Sequence, residues 1–365
     1  MNENKERKTV MKKMRVAIIG QGRSGRDIHG NFFRSESNDF VDVVAIVEAD
    51  EFRRNRAAEE FGCDVYVDYT ELFARKDIDV VVNASYSQMH YPITKEFLLH
   101  GFNVLTEKPF GRTSYECAEL IKIAKERGVT VAAFHQSLLS PIFLKIKEIL
   151  ASGILGKIIQ IDLTYSGFAR RWDWQTMQCC CAGSVYNTGP HPIGQALDLL
   201  GWDKDTRVVY SRYEKCFTSG DAEDYAKILL AAPGKPTVDI EINSADAFAA
   251  NTFKICGTAG TLTATQSDYK IKYLDFEKLE PRPLIRESLS GKNGEPVYCS
   301  EKIDATVVEG SVKGSSFDSA VFLFYKMLYG NVMEGKPLVI TPEMACEVIR
   351  VIERCYADNP LPIIY

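Results

Sequence analysis

The chain has 365 residues, 45% of them hydrophobic and 25% charged, with a formal net charge of -5. That length is enough for two domains with separate cores, and the mild negative charge sets aside nucleic acid and anionic membranes as main partners, because both need a concentrated basic surface. No run is apolar and long enough for an export signal or a membrane span, so a cytoplasmic protein with ten reduced cysteines is expected.

Residues 1–13, MNENKERKTVMKK, are polar and charged, and read as a flexible extension or as lying upstream of a start at Met11 or Met14. The run RVAIIG at 15–20 reads as a buried strand. It leads into Gly20-Gln21-Gly22-Arg23-Ser24-Gly25, a G-x-G-x-x-G opening a helix-compatible stretch. The first glycine makes a tight turn, the second admits a pyrophosphate, and the third lets helix pack on strand. Phosphates then sit over the helix N-terminus, so Gly20, Gly22, Arg23, Ser24 and Gly25 are expected against a dinucleotide. A second strand at 42–47 ends in Glu48, placed to bind the adenosine ribose hydroxyls and to repel a 2′-phosphate. NAD is therefore expected over NADP. Arg53 and Arg54 keep NADP as an alternative, and a merely solvated acid is the plain reading of Glu48.

Strands at 77–85, 102–108 and 129–135 alternate with helices at 91–101 and 114–128, which predicts a doubly wound parallel sheet of Rossmann type. Ser85, His90, Glu107, Lys108 and His135 fall at or just past strand carboxyl ends, where such a sheet keeps its cofactor crevice. After a helix at 140–153 the pattern changes to strands at 157–168, 224–232, 237–245, 251–258 and 260–266, then helices at 316–330 and 341–358. This predicts an α+β domain with an open, mainly antiparallel sheet. The expected division is 1–13 extension, 14–137 NAD-binding domain, and 138–365 substrate-binding and oligomerisation domain. An open sheet would leave an apolar face or edge exposed in a monomer, so a homo-oligomer, dimer or higher, is expected. Residues 282–298 read as a loop.

Between the strands lies CCCAGSVYNTGPHPIGQALDLLG, 179–201. The adjacent Cys179, Cys180 and Cys181 cannot easily all face one ion, so no metal site is expected. Four-residue spacing would put Asn187 and His191 on one side of a first helical turn, with Gly189-Pro190 able to distort it. His191 is a candidate proton acceptor. The stretch 165–175 carries Tyr165, Phe168, Arg170, Arg171, Trp172, Asp173 and Trp174, aromatic faces for a sugar or aglycone and polar groups for hydroxyls. Core packing and a surface ion pair are the alternative for these.

The glycine-rich turn, Glu107-Lys108-Pro109 and then Asn187-Thr188-Gly189-Pro190-His191 together resemble the glucose–fructose oxidoreductase/inositol dehydrogenase (Gfo/Idh/MocA) family, from about residue 14 to KPLVITPEMACEVIRVIE near the end. The resemblance implies that Lys108 and His191 are catalytic, with Asn187 standing where many members carry Asp. It implies hydride transfer to NAD from a sugar hydroxyl, with Lys108 stabilising charge on oxygen and His191 taking the proton. Within the family the chain is similar to gut-bacterial enzymes that oxidise the glucose 3-hydroxyl of plant C- or O-glycosides. The 3-keto product places the C1 substituent β to a carbonyl, which a separate lyase can eliminate. An oxidation–elimination glycoside hydrolase and a non-catalytic NAD-sensing module are the other readings.

Overall fold

Six short strands rich in Val and Ile form a parallel sheet buried on both faces. They are β1 (Met14–Ile19), β2 (Val41–Val47), β3 (Asp64–Tyr66), β4 (Val80–Asn83), β5 (Asn103–Thr106) and β6 (Val131–Ala133), in the order β3-β2-β1-β4-β5-β6. Every residue of β4 and β6 is buried, as expected where helices cover both faces. The order reverses between β1 and β4, so the crevice opens at their carboxyl ends, beside Gly20 and Ala84. The computed structural model describes residues 12–314 and 318–365. The expected extension lies outside the described residues except for its last two positions, as do the first two positions of the expected helix at 316–330.

The helices of this half are α1 (Gly30–Arg34), entered through a wide π-type turn at 23–29, α2 (Glu51–Phe61), α3 (His90–Leu99) and α4 (Ser114–Arg127). Neither α2 nor β3 was anticipated. Only Ala57 of α2 is buried, so the helix shows no apolar stripe. Its ends define it instead, with Asp50 accepting the Arg53 N–H and Gly62 left-handed after the last turn.

The second half begins with α5 (Pro141–Ala151) and β7 (Ile158–Ser166), then α6 (Ser184–Asn187) and α7 (Pro190–Leu199). Strands β8 (Arg207–Glu214), β9 (Tyr225–Ala231), β10 (Thr237–Asn243), β11 (Phe253–Gly257), β12 (Gly260–Ala264), β13 (Asp268–Tyr273) and β14 (Thr306–Ser311) complete an eight-stranded sheet ordered β14-β13-β12-β11-β7-β10-β9-β8. All neighbours are antiparallel except β7 and β10. Residues 282–298 contain no named helix or strand.

The outer face of this sheet carries paired charges on its inner strands. Lys227 lies 2.8 Å from Asp239 and 3.1 Å from Glu241, and Lys254 lies 4.0 Å from Asp162. Alternation along β9 and β10 puts aliphatic residues inward and these charges outward.

Two last helices, α8 (Ser319–Glu334) and α9 (Pro342–Asp358), tie the halves together. Tyr325 of α8 is fully buried and stacks on Phe32 of α1 at 5.0 Å. The inward residues of α9, Ala345, Cys346, Val348, Ile349, Ile352 and Cys355, recur at helical spacing, and the helix packs on α4 and α7. No helix among the described residues is long and apolar enough to cross a membrane.

Candidate active site

The glycine-rich turn fits a dinucleotide on steric grounds. Gly20 has φ +92°, and a Cβ there would come within 2.6 Å of the Ala84 carbonyl oxygen; a Cβ on Gly25 would lie 1.9 Å from the Gly20 oxygen. Those two glycines are demanded by the protein's own packing. A Cβ on Gly22 would meet nothing within 4 Å, so this glycine faces open space where a pyrophosphate can approach. The Glu48 carboxylate accepts the Gln21 N–H at 2.7 Å and the Asp50 N–H at 3.0 Å, which fixes it at the mouth of the turn. Arg54 is turned back onto the Glu48 and Ala49 carbonyls at 2.8 and 3.0 Å. Arg23 is exposed beside the turn and Ser24 half-buried within it.

The strand-end residues divide into two sets. Ser85 donates to Asn83 Oδ1 at 2.6 Å, and the ring nitrogens of buried His90 lie 2.7 Å from the Pro109 oxygen and 3.2 Å from the Ser85 oxygen. His90 therefore ties two loops together, and its contribution to the crevice is their placement. Glu107 also faces the interior. One carboxylate oxygen accepts the Lys108 N–H at 3.0 Å and the other lies 3.3 Å from His29 Nε2, while His29 Nδ1 meets the Tyr325 hydroxyl at 2.7 Å. Burial pushes the Glu107 carboxyl up, but His29, Lys108 and His90 outweigh it and hold it at about 2. It is a buried anion behind Lys108.

Lys108, Asn187, His135 and His191 form the second set. Lys108 Nζ donates to the Asn187 carbonyl at 2.7 Å and to Asn187 Oδ1 at 3.2 Å. Burial lowers the Lys108 pKa, helped by Arg23 and Arg171 and opposed by Glu107. His191 Nδ1 lies 3.1 Å from the Ser137 hydroxyl. Burial, then the charge of Lys108, then His135, push His191 down to about 3. Burial and Lys108 push His135 down to about 4. Both imidazoles are thus neutral at pH 7, the form that accepts a proton.

Asn187 and His191 do not share one helical turn as their spacing suggested. The chain breaks at Thr188-Gly189, with Asn187 ending α6 and His191 second in α7. Asn187 turns to Lys108 and also receives Gln175 Nε2 at 3.3 Å, whereas His191 turns to Ser137. The short α6 is seated by Glu223, which accepts the Val185 N–H at 2.7 Å and the Tyr356 hydroxyl at 2.6 Å. Gly183, at φ +109°, is needed there because a Cβ would lie 2.5 Å from that carboxylate. Burial raises Glu223 to about 7, against these hydrogen bonds.

The 165–175 stretch is only partly gathered into the crevice. Trp174 sits edge-on to Tyr86 at 5.0 Å, closing a wall between the two halves. Tyr165 donates to Gln195 Oε1 at 2.8 Å. Arg171 pairs with Asp173 at 2.7 Å. Arg170 is held by the Phe217 carbonyl at 2.9 Å, and Trp172 is 77% exposed. Ser137, Gln175, Gln195, Tyr86, His29 and Glu223 were not singled out from sequence. Each acts through a partner 12 or more residues away, and no local motif marks such pairs.

Comparison with known proteins places this geometry. Residues 14–135 match the family described as "Oxidoreductase family, NAD-binding Rossmann fold", and residues 143–263 match its "GFO/IDH/MocA C-terminal domain", together more than half of the chain. The chain belongs to the Gfo/Idh/MocA family. The chain is 24% identical over 349 residues to scyllo-inositol 2-dehydrogenase (NADP(+)) IolW of Bacillus subtilis, covering 93% of this chain and 92% of that one. It is 24% identical over 225 residues to dTDP-3,4-didehydro-2,6-dideoxy-alpha-D-glucose 3-reductase of Streptomyces violaceoruber, covering 61% of this chain and 65% of that one. Among other curated relatives the chain spans 47 to 67% of their length. The solved structure of GenD2 from gentamicin A biosynthesis, in complex with NAD, superposes with a TM-score of 0.76 at 21% identity, over 96% of this chain and 95% of that one, a likeness of fold.

Proposed function

We propose that this Gfo/Idh/MocA member oxidises a secondary hydroxyl of a sugar with NAD, C3 of the glucosyl group of a plant glycoside, giving a 3-keto glycoside. The observation that carries the reading is the Lys108 ammonium, anchored on Asn187, sharing one crevice with a neutral His191 beyond the glycine-rich turn. Lys108 stabilises the charge that develops on the substrate oxygen. His191 takes the hydroxyl proton. When bound, NAD supplies the hydride acceptor. Gly22, Arg23 and Ser24 hold its pyrophosphate, and Glu48 holds its adenosine ribose and disfavours NADP. Two relatives named for sugar or polyol chemistry support the substrate class, and the Streptomyces enzyme is named for work at C3. Trp174 and Tyr86 offer the aromatic wall a sugar ring packs on.

The proposal extends to a homo-oligomer, for which exposed Val209, Tyr210, Val307 and Val308 on the edge strands β8 and β14 are the support. It extends also to a lyase acting on the keto product. The test is incubation with NAD and a panel of polyols, free sugars and glycosides, followed by location of the new carbonyl. A 3-keto glycoside formed with equal NADH supports the reading. Free sugar without net NADH would replace it with oxidation–elimination hydrolysis, and no turnover across the panel would sink it.

A further inference from the structure

The turn that follows β6 closes on α7 at three successive points. His135 Nδ1 lies over Gly194, where a Cβ would come to 3.5 Å from it. The Ser137 hydroxyl lies 3.1 Å from His191 Nδ1. The Ser137 carbonyl accepts Gln195 Nε2 at 3.1 Å. The Tyr165 hydroxyl at Gln195 Oε1 sets which way that amide faces. Gln195 stands one turn beyond His191 on α7 and is buried, so the Ser137 backbone is held against this face without its hydroxyl.

Neutral imidazole carries a single N–H, and only the bare nitrogen accepts a proton. Asn187, which the spacing placed beside His191, is engaged by Lys108 and Gln175 instead. Ser137 Oγ is the hydrogen-bond partner of the His191 ring among the described residues, and Nε2 has none. The Lys108 charge acts on this ring, and a positive charge favours a lone pair over an N–H on the nitrogen nearer to it.

We propose that Ser137 is the positioning residue for His191, its Oγ accepting the Nδ1–H so that Nε2 is left unprotonated toward the crevice. This rests on His191 being the proton acceptor, and it adds the group that selects the reactive tautomer.

The experiment uses full-length protein labelled with 15N-histidine. The chain has five histidines, and the His191 signals are assigned by their loss in His191→Gln. Two-bond 15N–1H correlation near neutral pH reads the tautomer without substrate. The expected result is the Nδ1–H form in the starting protein, a mixture in Ser137→Ala, and the Nδ1–H form again in Ser137→Thr. With a responsive glycoside, kcat of Ser137→Ala should fall roughly tenfold, the size of one hydrogen bond. The KM and NAD affinity should stay within about twofold, since no uniform binding contact is removed. An Nε2–H tautomer in the starting protein, or a loss of turnover in Ser137→Ala with the tautomer unchanged, would overturn the proposal. Because the tautomer is read without turnover, an error in the substrate or in the hydride-transfer reading shows separately, as no ketosugar from the starting protein.

Discussion

Lys108 and His191 reach the same crevice from opposite halves, and each is held by the half it does not belong to. Lys108 leaves the end of β5 and is anchored on Asn187 at the end of α6. His191 sits at the start of α7 and is anchored on Ser137, just past β6. The backings differ. Behind Lys108 lies a buried anion, Glu107, that favours its charge, while around His191 burial and nearby positive charge keep the ring neutral. One wall of the crevice sets a lysine against a buried carboxylate and the other holds a histidine that burial keeps neutral, and neither is complete until the halves dock.

Deleting either wall tests that division most severely. Lys108→Ala should lower turnover by about 100–1000-fold, the usual cost of one donor at a developing oxyanion. His191→Ala should lower it by about 100–10,000-fold, the range for a general base. The double variant should lose far less than the product, because both groups serve one hydroxyl in one transition state. NAD titration by fluorescence should find the cofactor bound normally in all three, since the glycine-rich turn is untouched. Near-normal turnover in Lys108→Ala would make the lysine a surface group.

Asn187→Asp sharpens the comparison by giving the lysine seat a charge. A carboxylate at the position of Oδ1, 3.2 Å from Nζ, would raise the Lys108 pKa. Partial activity is expected, with the alkaline limb of the kcat profile moved up and the acid limb moved less. An acid limb that moves more would place the new charge nearer His191 than Lys108.

The charge division also predicts how stability depends on pH. His90, His135 and His191 are buried neutral, with folded pKa values depressed below the ordinary 6.5. Their stability contribution is complete above about 6.5 and lost as pH falls toward about 4 for His135 and about 3 for His191. Each costs about 1.4 kcal/mol per pH unit within its window. Glu223 runs the other way, because its raised pKa of about 7 makes its contribution largest below 4.5 and lost as pH rises through 7. Urea unfolding across this range should show a net acid loss, and Glu223→Gln should make it steeper by removing the opposing group. An unchanged slope in Glu223→Gln would show that its carboxyl is not shifted.

The smallest effect expected is at the cofactor's far end. Glu48→Ala should narrow the preference for NAD over NADP by about tenfold, roughly 1.4 kcal/mol. Equal affinities in the starting protein would remove Glu48 from the ribose site and turn attention to Arg53 and Arg54.

What the sequence determined by itself is local. Gly20-Gln21-Gly22-Arg23-Ser24-Gly25 after an apolar strand declares a phosphate turn, because backbone sterics within six residues require those glycines. Lys108 past a buried strand end and His191 opening an amphipathic helix stood out through the short motifs that carry the family resemblance, and most of the parallel strands through their apolar runs. Elements without that signal escaped. Helix α2 buries only Ala57, and β14 has no buried residue, so neither shows a period. Only the tertiary structure decided what holds Lys108 and His191. Lys108 and Asn187 are 79 residues apart, His191 and Ser137 54, and Glu223 and Val185 38. Pairing at such separations depends on how two sheets and the helices between them dock. It leaves no periodic trace in the chain, because a serine or a glutamate that meets its partner through the fold looks in sequence like any other polar residue.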